Sequence, residues 1–225
     1  MAETYYTLVA SLPRLIHFEQ AEWLPISRKQ LDQRLSMLLP DDATELRLAE
    51  ELVQWRRQPI TRTAAEMLRG YRELMMRASQ PSLREFVDFR MSQRTALVAL
   101  RRQRRGLGPP APGEIWGVGP WVRRIEAHWE SADLGLGGVF GWIEEARALL
   151  EAGNATGLER LLMDVVWQQL SRIADRQPFG FEQVLGFVFK WDVVQLWLSY
   201  DADAAKARFQ QLIAEVTRDH QQLFA

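Results

Sequence analysis

Residues 158–200, LERLLMDVVWQQLSRIADRQPFGFEQVLGFVFKWDVVQLWLSY, are the densest apolar block in the chain and limit its fold more than any other stretch. The block reads as a helical hairpin. In the first arm Leu158, Leu161, Leu162, Val165, Val166 and Gln169 recur at the spacing of one helix face, and Thr156 with Glu159 spells a capping box. The arms separate at Asp175-Arg176-Gln177-Pro178-Phe179-Gly180, where Pro178 lacks the donor a helix interior needs and Gly180 tolerates positive φ. The second arm carries Phe181, Val184, Leu185, Val188, Phe189, Val193, Leu196 and Trp197 around much of its circumference. A helix apolar on several sides is either enclosed by others or forms an interface. Phe187, Trp191 and Val194 fall roughly opposite Leu185, Val188 and Leu196, so one face is expected to enter the core and the other to seek a partner.

Three charged residues interrupt the hairpin: Asp164, Lys190 and Asp192 lie on or beside its apolar stripes. Charged core residues normally survive by pairing, so these three are candidate buried polar groups, expected either to reach water at the edge of the stripe or to pair with arginines of neighbouring helices. A catalytic carboxylate pair is the sharper alternative, but no nearby His, Cys or phosphate-binding loop completes it.

The rest of the chain repeats the helical theme. Tyr5 to Leu12 is a short segment stopped by Pro13, and Ser27 caps a helix to about Leu39. Pro40-Asp41-Asp42 starts another, closed by Pro59. Thr63 with Glu66 and Ser82 with Glu85 are capping boxes, the latter opening a long helix to about Arg105. Trp121 to Trp129 and Trp142 to Leu150 read as helices, and Asp201 caps a last one facing inward through Ala205, Phe209, Leu212, Ile213 and Val216. No alternating Val/Ile/Thr run bounded by hairpin turns appears. The expected fold is an all-α, elongated bundle of roughly eight or nine helices in two lobes. Leu52-Val53-Gln54-Trp55 and Val165-Val166-Trp167 end comparable helices, a faint echo of a degenerate helical repeat.

The clear break is Gly106 to Pro120, GLGPPAPGEIWGVGP, too rich in glycine and proline for a long helix. It divides the expected lobes, 1–105 and 121–225, as a linker or an ordered loop. The charge changes sign there: residues 1–105 hold 18 basic and 13 acidic groups, the remainder 10 and 16. Its upstream flank, Arg101-Arg102-Gln103-Arg104-Arg105, is the strongest electrostatic feature. A solvated helix end favoured by the helix dipole is its plain reading; an acidic protein surface or anionic lipid headgroups are the partners it would suit. A nucleic-acid-binding protein using this cluster is a weaker alternative, since the whole chain is net acidic.

Other motifs lead away from catalysis. Gly135-Leu136-Gly137-Gly138-Val139-Phe140-Gly141 lacks the strand and Lys-Ser/Thr pair of a phosphate loop, and reads as a flexible or tightly packed turn. His17, His128 and His220 have no metal-binding spacing, and there is no Cys. No catalytic residue, cofactor or metal is expected. No signal-peptide pattern opens the sequence and no apolar run would span a bilayer, so a cytoplasmic location is expected. Of nine Trp, seven lie beyond residue 115, more than a small lobe readily encloses, which favours a protein partner.

Three stretches resemble one family. Phe179-Gly180-Phe181-Glu182-x-Val184-Leu185-Gly186-Phe187-x-x-Lys190, continuing to Trp197, is similar to the C-terminal signature of an uncharacterised bacterial family encoded with V/A-type ATP synthase subunits. Tyr5-Tyr6-Thr7-Leu8-Val9-Ala10-Ser11-Leu12-Pro13 resembles its opening, and Arg94-Thr95-Ala96-Leu97-Val98-Ala99-Leu100-Arg101 its middle helix. The chain departs from it around Thr95, near which the family usually carries Asn, and at Gln195, where the resemblance leads one to expect Arg. The family is taken as the counterpart of the C-type component of the central stalk (the d-type component in eukaryotes). The resemblance implies a non-catalytic rotor component, peripheral to the inner face of the membrane, that couples the shaft to the proton- or sodium-translocating ring. Its partners would be the other rotor subunits and the ring, with no nucleic acid. A helical assembly chaperone is the alternative.

Overall fold

The computed structural model describes residues 4–54 and 61–200. Among them are nine α-helices and no strand: α1 (Tyr6–Ser11), α2 (Arg28–Leu35), α3 (Pro40–Val53), α4 (Ala64–Arg77), α5 (Pro81–Arg104), α6 (Val122–Ala127), α7 (Ile143–Glu151), α8 (Ala155–Ala174) and α9, helical over 181–200. Trp55 and the helix expected from Asp201 lie outside the described residues.

Helix starts follow local chemistry. The Ser27 side chain accepts from the Gln30 N–H while the Gln30 side chain returns to the Ser27 backbone, and Thr63 and Glu66 do the same. Two expected caps are corrected. α8 is capped by Asn154, whose side chain accepts from the Gly157 N–H, and Thr156 lies already inside the helix. α5 begins with Pro81 at its first turn after Gln80, and Ser82 is buried one residue further in. Glu85 instead bonds Arg176 and Gln169 of the hairpin. α2 also stops earlier than expected, at Leu35, in a turn closed by Ser36 and Met37 N–H groups.

α5 is the spine, about 36 Å long at 1.5 Å per residue over its 24 residues. Its first part enters a core with α1, α3, α4, the second half of α8 and α9, including the fully buried Phe18, Leu31, Phe86, Met91, Val188 and Val194. Its last part enters a second core with Trp116, Ile125, Trp129, Leu134, Leu136, Ile143 and Leu158. The apolar core thus does not divide at 106–120 as the sequence suggests. Both α5 and α8 run through the two clusters, and the hairpin packs mainly on the N-terminal half.

Residues 106–120 form an ordered loop that is exposed where it leaves α5 and returns along that helix from Glu114 to Gly119. Thr95 Oγ1 donates to the Val118 carbonyl at 2.7 Å and accepts the Val118 N–H at 2.8 Å, while Trp116 and Val118 are buried. A hydroxyl that both donates and accepts satisfies both polar groups of this backbone residue. The glycine run 135–141 is a turn anchored at its start: Asp133 accepts from the N–H groups of Gly135 and Gly137 and from the Ser131 hydroxyl, while Gly138, Val139 and Gly141 are exposed.

Those three donors hold the Asp133 carboxyl at about 2, below its ordinary 3.8, with the Ser131 bond the largest cause. A depressed folded-state value gives stability that is present above 3.8 and is lost as pH falls through about 2. The Gly135 and Gly137 amide resonances are expected to shift over this window in an NMR titration, and Asp133→Asn to abolish the step.

Candidate partner-binding surface

The α9 face expected to seek a partner is part of the core. Trp191 is 1% and Val194 0% exposed, and only Phe187 reaches partial exposure. The Trp191 indole N–H donates to the Ile26 carbonyl at 2.8 Å, so the loop ahead of α2 covers this face. Phe189 meets Phe86 of α5 on another side, with ring centroids 4.5 Å apart, and Gly186 lies against Ala174 of α8. The apolar circumference of α9 is thus used inside the molecule; periodicity marks which residues prefer burial, not which neighbour covers them.

The charged residues of the hairpin fall in three separate settings. Asp164 is not buried: its side chain is 38% exposed, accepts from Gln168 and stands 3.4 Å from His17 Nε2. His17 also faces Glu19 at 4.0 Å and packs its ring on Phe18 and Trp167. Lys190, half-buried, lies 4.9 Å over the Trp167 ring, and burial pushes its ammonium down against the opposing pull of Asp175. Asp192, half-buried, accepts from Gln54 at the end of α3. Gln54 adjoins Glu50, which receives a two-pronged bond from Arg28 at 2.6 and 3.1 Å. The Glu50 carboxylate raises the Arg28 guanidinium, while desolvation pushes Arg90 of α5 down to about 10, partly countered by Asp192. Asp164 and Asp192 therefore belong to different clusters, each with structural partners. Among the described residues no group of His, Cys, Asp and Glu is gathered to hold a metal ion.

The arginines at the end of α5 present a single side. Arg102 is half-buried and donates to Glu114 at 2.9 Å. The Ala111 N–H and the Arg102 guanidinium hold that carboxylate below its ordinary range. Arg101, Arg104 and Arg105 are exposed and span about 100° of helix arc. The five-residue run wraps the helix in sequence, but with Arg102 turned to the loop the remaining charges share one direction. Gly106, at φ 70°, stops α5: its N–H bonds the Gln103 carbonyl and the Leu107 N–H bonds that of Arg102. This closure carries the chain out into an exposed loop with Leu107 and Ile115 each 48% exposed. The spacing of single arginines carries no sign of this; the signal lay in the glycine that follows them.

Comparison with family models, with curated proteins and with solved structures finds no match to this chain.

Proposed function

We propose that this protein is a non-catalytic central-stalk component of a V/A-type ATP synthase, similar in role to the C-type stalk component, coupling the rotary shaft to the membrane ring. The observation that carries the reading is the meeting of stretches that resemble that family. The opening stretch and the C-terminal signature are far apart in sequence, yet the Tyr5 N–H donates to the Phe179 carbonyl at 2.6 Å. The Tyr6 and Phe179 rings pack with centroids 4.9 Å apart. The third stretch, 94–101, is the section of α5 that belongs to the second core, with Ala96, Leu97, Ala99 and Leu100 buried. Torque transmission needs stiff elements rather than a pocket, and one continuous helix shared by two apolar clusters supplies stiffness.

The test is co-purification. A tagged copy expressed with the rotor subunits should retain them through washing, and the isolated chain should not turn over ATP. Retention of no rotor subunit, or ATP turnover abolished by Asp164→Asn or Asp192→Asn with folding intact, would contradict the proposal.

A further inference from the structure

The loop that leaves α5 combines features that a protein surface facing water does not need. Residues 104–115 are exposed apart from the half-buried Pro110. Within 106–115, GLGPPAPGEI, the single charged side chain is Glu114, and it is already occupied by Arg102. Leu107, Pro109, Ala111, Pro112 and Ile115 are all exposed, so the loop offers mainly apolar side chains to its surroundings. At its base stand the exposed Arg101, Arg104 and Arg105.

Part of the loop backbone is already withdrawn from water. Pro109, Pro110 and Pro112 have no N–H to desolvate. The N–H groups of Gly106, Leu107 and Glu114 donate to the carbonyls of Gln103, Arg102 and Ala111, and the Ala111 N–H donates to the Glu114 carboxylate at 3.0 Å. Irregular backbone is normally excluded from a bilayer because an amide without a hydrogen-bond partner is costly to desolvate. Three prolines and four internal bonds lower that cost for shallow entry into the headgroup region, where the N–H groups of Gly108, Gly113 and Ile115 would meet water or headgroup oxygens. No helix among the described residues is long and apolar enough to cross a membrane, so contact would be at the surface.

We propose that Arg101, Arg104 and Arg105 with the 106–115 loop form a docking site for an anionic phospholipid surface, the guanidiniums on headgroup phosphates and Leu107 and Ile115 at the acyl boundary. The pairing of cations with adjacent aliphatic side chains is what an anionic interface rewards, since charge attraction and apolar burial add there. Duplex nucleic acid would use the arginines and leave Leu107 and Ile115 in water. This proposal deepens the stalk reading by naming the surface that would face the membrane, and rests on it only for biological context.

The test uses the full chain and vesicles of phosphatidylcholine, alone or mixed with phosphatidylglycerol, in a flotation assay. Binding is expected to the mixed vesicles and not to phosphatidylcholine alone, and to weaken with added salt. Each of Arg101→Gln, Arg104→Gln and Arg105→Gln should weaken partitioning about fivefold. Leu107→Ser combined with Ile115→Ser should weaken it roughly tenfold or more. All of these side chains are exposed, so circular dichroism and thermal unfolding should be unchanged and report that folding is intact. Absence of binding by the native chain, equal binding to neutral vesicles, or indifference to the Leu107/Ile115 pair overturns the proposal. Preferential retention on duplex DNA overturns it in favour of a nucleic-acid surface. Because the assay contains no rotor subunit, its failure leaves the stalk reading standing, and failed co-purification leaves a positive vesicle result intact.

Discussion

Trp191→Ala should destabilise the isolated protein by about 3–5 kcal/mol, the usual cost of emptying a large buried aromatic site. Trp191 is 1% exposed and its ring fills the space between α9 and the segment before α2. Truncation leaves a cavity and also orphans the Ile26 carbonyl, which accepts the indole N–H. Trp191→Phe retains most of the ring and should lose only the hydrogen-bond component, about 1–3 kcal/mol for the acceptor left unpaired. Urea denaturation of the two variants separates these contributions. A Trp191→Ala chain with native stability but impaired partner binding would restore the outward-facing reading of this residue.

The second large effect is expected at Gly186, where α8 and α9 approach closely. A Cβ at this position would sit 2.9 Å from the Ala174 Cβ and 3.4 Å from the Leu170 carbonyl oxygen. Neither atom is the end of a flexible side chain, so relief requires the helices to separate. Gly186→Leu should therefore cost about 3 kcal/mol through overpacking. Gly186→Ala should cost less, because the contact is partly offset by the better helix propensity of alanine. Ala174→Gly combined with Gly186→Ala should recover part of the loss, and a double-mutant cycle measures that coupling. Additive effects of the two substitutions would mean that the close approach is not what requires glycine at 186.

Much of this architecture is legible in single residues. Ser27, Thr63 and Pro40 start helices where their side chains or missing donors predict, and Pro178 with Gly180 separates α8 from α9. The errors concern what covers what. A capping pattern at Thr156 and Glu159 competes with Asn154 two residues earlier, and Asn154 takes the Gly157 N–H. Gly106 to Pro120 leaves linker and ordered loop both open in sequence, because glycine and proline show only that its backbone cannot form a long helix. Its attachment to α5 depends on Thr95, far enough away in sequence that period and propensity do not register it. The same reason explains Trp191 and Val194: helical spacing groups them on a face, and only the tertiary course of residues 13–27 closes that face. Arg101, Arg104 and Arg105 stand out as a charge cluster in sequence; their common direction emerges once Arg102 is seen bonded to Glu114.

Asp192 illustrates how an acid on an apolar stripe can be structural. Its bond to Gln54 ties α9 to the end of α3, beside the Arg28–Glu50 pair that ties α2 to α3. Asp192→Ala should cost about 2 kcal/mol, in the range of hydrogen bonds to charged groups. Asp164→Ala, at an exposed site, should stay within about 0.5 kcal/mol of the parent. Equal costs at the two positions would argue against this division of roles.

The proposed role, a permanent non-catalytic link between shaft and ring, requires that the chain stay in the finished machine and be needed for its coupling. The direct test is to purify the assembled ATP synthase from cells with and without this chain, and to measure both its stoichiometry and the coupling of ATP hydrolysis to ion transport. A fixed stoichiometry in the mature complex is expected, with hydrolysis that persists but no longer drives transport when the chain is removed. A mature complex that lacks the chain yet remains coupled would contradict the stalk role and favour an assembly factor.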